Sequence, residues 1–194
     1  MARARFTGLA IFLHWLVALL LIGQFAFGWL LGAIPRNTPA RGFWINQHKS
    51  IGLVIGLLIV VRIAWRLRHA PPPLLPMPAW QRRAASISHA AMYVCMALMP
   101  LSGYVASNFS KYGIKLFNVL PLAPWGAHDK AVYAMLNQTH QATAIVLAAL
   151  VGLHVLAVIK HQLIDRDNLL ARMWPGRASP RRASPRRASP RRAP

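Results

Sequence analysis

Eight histidines stand in this chain against three carboxylates, all of them Asp. Imidazole is the side chain best suited to carry a proton near neutral pH, and it is also the commonest metal ligand. His14, His48, His89, His140 and His154 fall within or at the ends of long apolar stretches, where an ionisable group is rare and marks a functional site by default. His69, His128 and His161 lie at boundaries or in connections and read as solvated side chains. His140 and His154 are separated by 14 residues, just under four helical turns, so one helix would present both from the same face about 21 Å apart. That is too far for one metal ion. It suits two cofactors at two depths, each needing a second ligand from another helix.

The elements that must position these rings are membrane spans. Apolar residues make up 56% of the 194, and mean hydropathy is +0.37 even though the last 18 residues are almost entirely Arg, Ala, Ser and Pro. The apolar content concentrates in runs at about 6–34, 50–63, 87–105 and 143–159. A span needs about 20 apolar residues. The first and third runs reach that alone, and the second and fourth reach it if Gln47, His48, His140 and Gln141 are drawn into the helix ends. The first run is about twice the length of a signal-peptide core, which favours a retained span. His14 then lies roughly 12 Å into the first helix and His154 roughly 9 Å from the same side, whereas His48 and His140 open their helices at the other side. Depth pairs His14 with His154, and His48 with His140.

A net charge of +20 would suggest nucleic acid, but its distribution does not. With the N-terminus cytoplasmic, 17 Lys and Arg fall in inside segments and 6 in outside ones, the bias expected of an inner-membrane protein with both termini cytoplasmic. Removing the six tail arginines beyond Arg177 leaves 11 against 6, so the orientation does not depend on them. Trp29, Trp44 and Trp125 sit near the outer boundary and Trp65, Trp80 and Trp174 near the inner one, as interfacial anchors. The connector at 70–78 has five prolines in nine residues and reads as extended chain on the membrane surface. The outer segment 107–137 reads as a loop dipping to the interface, with a short helix near 131–136. Residues 1–175 form the membrane domain. Residues 176–194 are a low-complexity basic repeat that cannot fold, a solvated tail or one attracted to anionic lipid. Cys95 stands alone, which excludes an intrachain disulfide, and C-x-x-C-H is absent, which excludes a covalently attached c-type haem.

Zinc would need three or four donors at one depth, and no Cys or carboxylate completes such a set; two bis-histidine haems fit the pattern. Gly52 and Gly56 form a G-x-x-x-G that serves close helix packing or a flat porphyrin. Arg62 and Arg66 read as propionate partners or as plain boundary anchors.

His14-Trp15-Leu16, His48, Ser88-His89 with Tyr93, His140, Gly152-Leu153-His154 and Asp167-Asn168-Leu169-Leu170-Ala171-Arg172-Met173 together resemble the prokaryotic cytochrome b561 family over roughly residues 5–175. The resemblance implies an all-α integral membrane four-helix bundle holding two b-type haems on His14, His48, His140 and His154 as axial iron ligands, exchanging electrons with ubiquinone. Within that family, oxidation of superoxide with ubiquinone as acceptor is a proposed activity, and an outer face carrying a net +5 between the spans would attract that anion. His89, near the inner boundary, is the candidate quinone or proton-relay group, with a propionate contact or haem ligation as its other readings. The alternative function is a non-catalytic electron-transfer or anchor subunit of a partner redox enzyme; a haem-free transporter would have no use for matched histidines.

Overall fold

The computed structural model describes residues 5–73 and 75–176; the repeat tail from Arg177 lies outside the described residues. Four helices are long and apolar enough to cross a membrane. They are α1 (Gly8–Leu30), α2 (Pro39–Arg68), α3 (Ala79–Asn108) and α4 (Lys130–Leu163). α2, α3 and α4 are longer than their apolar runs, and side chains cap the N-termini of α1, α2 and α4. Thr7 Oγ1 accepts from Ala10 N at 3.3 Å, and Thr38 Oγ1 accepts from Arg41 N with Pro39 in the first turn. Asp129 Oδ1 accepts from Ala131 and Val132 N at 2.8 and 3.0 Å. These are the orphan donors that an N-cap satisfies. At 30 residues, α2 is about 45 Å long, longer than a hydrocarbon layer of about 30 Å.

This length corrects three expectations. His48, His89 and His140 do not open their helices; each lies nine or ten residues inside. The short helix expected near 131–136 is the first part of α4. The outer segment is not a plain loop, because Ile114–Leu116 (β1) and Leu120–Leu122 (β2) pair as an antiparallel hairpin. At its tip Phe117 and Asn118 take left-handed backbone, with φ 47° and 61°, which costs a bulky residue about 1–2 kcal/mol. The tip is held in compensation: Phe117 N donates to the fully buried Ser50 Oγ at 2.7 Å. Asn118 meets Asn46 Nδ2 at 3.0 Å and the Phe43 carbonyl at 3.1 Å. The hairpin is thus fastened across the end of α2.

Val17, Ile55 and Ile59 form one apolar cluster between α1 and α2, and Met92, Cys95 and Leu147 another between α3 and α4, with Met96 packed against both. Outward residues such as Leu19, Ile22, Leu57 and Leu156 are more than 60% exposed, as a lipid-facing surface requires. Gly56 of the glycine pair serves helix packing, since a Cβ there would stand 3.0 Å from Pro100 Cβ on α3.

At the opposite end, where the chain enters α1 and leaves α4, the segment after α4 folds back. Its short 3-10 turn, Leu169–Arg172, leads into carbonyls that accept from the start of the chain. Trp15 Nε1 donates to Met173 O at 2.7 Å, and Arg5 donates to Trp174 O and Gly176 O at 2.5 and 2.7 Å. Arg172, only 5% exposed, reaches Pro73 O at 2.7 Å. We call this the terminal end and the other the hairpin end.

Candidate functional site

The fold brings histidines together at both ends of the bundle. At the hairpin end, the His48 ring on α2 and the His140 ring on α4 have centroids 6.3 Å apart at an interplanar angle of 81°. At the terminal end, His14 on α1 and His154 on α4 stand 6.4 Å apart at 71°. A metal–imidazole bond is about 2 Å and a ring centre lies roughly 1 Å behind its nitrogen, so two rings sharing one ion stand about 6 Å apart. Both pairs have that spacing.

The hairpin-end pair is built for its rings. A Cβ on Gly103 would come within 3.1 Å of His140 Nδ1, and one on Gly28 within 3.3 Å of His48 Cε1. Only glycine leaves these places free, so α3 and α1 each offer a flat seat for an imidazole. His140 Nδ1 donates to Met99 O at 2.9 Å. That fixes the tautomer and leaves Nε2 with its lone pair, as in metal-bound histidines whose other nitrogen is held by a carbonyl. His48 Nδ1 and Gln24 Oε1 are buried without partners, while Gln24 Nε2 donates to His48 O at 2.5 Å. A cavity of about 750 Å³ joins His48, His140, Gln24, Gly52, Met99 and Gly103. Its flat glycine walls, paired imidazoles and unsatisfied polar atoms fit a haem. Gly28 and Gly103 were not singled out in the sequence, because a helical glycine there looks like any other small membrane residue.

At the terminal end His89 is also close: its ring lies 5.4 Å from His154, nearer than His14. Arg62 Nη2 donates to His14 Nδ1 at 3.1 Å. Guanidinium has no lone pair, so this contact requires Nδ1 to accept, whereas a ring holding metal through Nε2 carries its proton on Nδ1. Metal on Nε2 would therefore release Arg62. Arg66 and Arg62 lie over the Tyr93 ring at 5.4 and 5.9 Å.

The remaining histidines have structural partners. His161 is not a solvated side chain: it is 13% exposed and bonds Asp167 at 2.6 Å. His69 stacks on Trp65 at 3.7 Å, and His128 meets Phe109 O at 3.0 Å. Two of the six basic residues expected at the outer face are also engaged, Lys49 with Gly113 O at 2.7 Å and Arg41 with Leu31 O at 2.6 Å. Arg36, Lys111, Lys115 and Lys130 remain exposed.

Comparison with known proteins agrees with this architecture. The family described as prokaryotic cytochrome b561 matches residues 5–176. Cytochrome b561 homolog 1 of Escherichia coli K12 is 28% identical over 176 residues, covering 89% of this chain and 98% of that protein. The probable superoxide oxidase CybB of Yersinia pestis is 30% identical over 178 residues, covering 88% and 96%. Histidines set in pairs inside an apolar bundle, and a match running through every span, lead to one assignment: the chain belongs to the prokaryotic cytochrome b561 family of multi-pass membrane haem proteins.

Proposed function

We propose that the chain is a dihaem cytochrome of the inner membrane, with both termini cytoplasmic, that takes electrons from superoxide at the hairpin end and delivers them to ubiquinone. The observation that carries this reading is the pair of histidine pairs, at 6.3 and 6.4 Å, one near each end of the bundle. His48 and His140 hold one haem, and His14 and His154 the other. Bound there, the haems supply one-electron carriers at two depths, about 21 Å apart along α4.

The chain's own residues do the rest. Gly28 and Gly103 seat the rings, and Met99 O orients His140. Arg62, released from His14, neutralises a propionate at the terminal end, and Arg66 is the second candidate for that role. The apolar sheath keeps water out, and axial ligation and burial set the potentials. Exposed Arg36, Lys111, Lys115 and Lys130 draw an anion to the hairpin end, a field effect that fades with salt. Each superoxide gives up one electron and leaves as dioxygen; two electrons and two protons convert ubiquinone to ubiquinol. No carboxylate lies in a span, so His89 is the group that passes protons. The naming of the Yersinia relative as a probable superoxide oxidase supports the superoxide half of this scheme.

The test is stopped-flow reduction of the purified protein by superoxide across a salt series, with ubiquinone as acceptor. We expect reduction that slows with ionic strength, more weakly in Lys111→Gln/Lys115→Gln. Absence of haem reduction removes superoxide as donor. Reduction that ignores both salt and the double substitution removes steering.

A further inference from the structure

Four buried side-chain atoms among the described residues lack a hydrogen-bond partner, and two of them belong to Arg5 and Arg62, residues that line one cavity. It occupies about 230 Å³ at the terminal end, with Arg66, Thr7, His69 and Tyr93 completing its polar wall. Of the histidines only His69 lines it; His14, His89 and His154 do not. Three guanidiniums face it, and no carboxylate does. Asp129 caps α4 at the hairpin end, and Asp165 and Asp167 lie against Lys160 and His161. Buried donors without acceptors are costly, and among the described residues Arg5 Nε and Arg62 Nη1 have none.

We infer that this cavity is a binding site for the phosphate of an anionic phospholipid headgroup. Guanidinium forks match phosphate oxygens in geometry as well as charge. The walls are fixed rather than fluid: Trp65 Nε1 donates to Thr7 Oγ1 at 2.9 Å, and the Arg66 guanidinium lies over Tyr93. The cavity sits where α1 begins and α2 ends, beside the Pro71 and Pro72 connector, at the depth where a chain leaves the membrane. Basic pockets between helix ends on the cytoplasmic side are where acidic headgroups are held. A guanidinium has five donors, so Arg62 can face the pocket with one nitrogen and the haem side with another. Arg5 also carries the carbonyls of Trp174 and Gly176, so an occupied pocket would brace the segment that closes this end.

The inference shares Arg62 and Arg66 with the proposed propionate contacts, so lipid retention and haem content are read separately. Full-length protein in detergent is exchanged with phosphatidylglycerol, phosphatidylcholine or inorganic phosphate, then weighed by native mass spectrometry at high salt, which screens the basic tail. We expect one retained phosphatidylglycerol per chain and neither of the other two probes. Arg5→Gln and, separately, Arg66→Gln should each lower that retention by at least about tenfold, the loss of one charge-assisted hydrogen bond, while Arg5→Lys keeps more of it. Arg66 makes no contact with the terminal carbonyls, so its variant tests the charge without releasing the closing segment. Equal retention of phosphatidylcholine, or unchanged retention in both Gln variants, overturns the site. Binding of free phosphate without lipid preference overturns the lipid. Loss of haem with lipid still held in Arg5→Gln would make the pocket part of the haem site instead.

Discussion

Replacing Gly103 by Ala adds one methyl group, and the structure says where it goes. The new Cβ would stand 3.1 Å from His140 Nδ1 and 3.2 Å from Cε1, so the ring must retreat by a few tenths of an ångström or the helices must part. Retreat stretches the 2.9 Å bond to Met99 O, worth about 1 kcal/mol, and overpacking costs about 1–3 kcal/mol. Alanine returns about 0.5–1 kcal/mol through its better helix propensity. The balance, about 1–3 kcal/mol, corresponds to roughly 5- to 150-fold weaker affinity for the haem proposed at the hairpin end, a span that includes the effect of removing a metal-bound histidine's supporting partner. The assay is haem transfer to apomyoglobin, followed by the optical spectrum, with total haem measured per chain. One haem should leave faster and the other should be unaffected. Two controls separate seating from general packing. Gly152→Ala meets nothing within 4 Å and should behave as wild type. Gly56→Ala pushes on Pro100 at 3.0 Å and should lower thermal stability without singling out one haem. Unchanged haem release in Gly103→Ala would refute the seat, and equal release in Gly152→Ala would refute the reasoning behind it.

Two further outcomes follow from the same geometry. His89→Ala should keep both haems and slow quinone reduction, although His89 lies 5.4 Å from His154; loss of a haem in that variant would make His89 a ligand and His14 the outsider. Asn118→Ala removes the bonds to Asn46 and the Phe43 carbonyl, about 2 kcal/mol together, and should raise hydrogen exchange in residues 113–122 while α4 stays protected. Uniform exchange in hairpin and helix alike would mean that the hairpin is not fastened through its tip.

The spans, their number and the histidines worth attention were legible in the sequence because hydropathy and the 3.6-residue period are local properties. His140 and His154 share a face whatever surrounds them, and carboxylates are absent from the spans whatever the packing. Helix ends were less legible. Thr38 and Asp129 cap α2 and α4 well ahead of their apolar runs, so His48 and His140 lie farther inside their helices than hydropathy alone suggested, as does His89 in α3, which starts after Pro78. Tertiary structure decided what depends on how each helix is turned about its own axis. Depth could match His48 with His140, but only packing brings Gly103 under one ring and Gly28 beside the other. The Arg62 contact with His14, the hairpin tip on Ser50 and the Arg5 latch on Trp174 each join residues 48 or more positions apart. Membrane helices meet through close van der Waals fit and sparse hydrogen bonds, and such contacts leave no periodic trace in the chain that makes them.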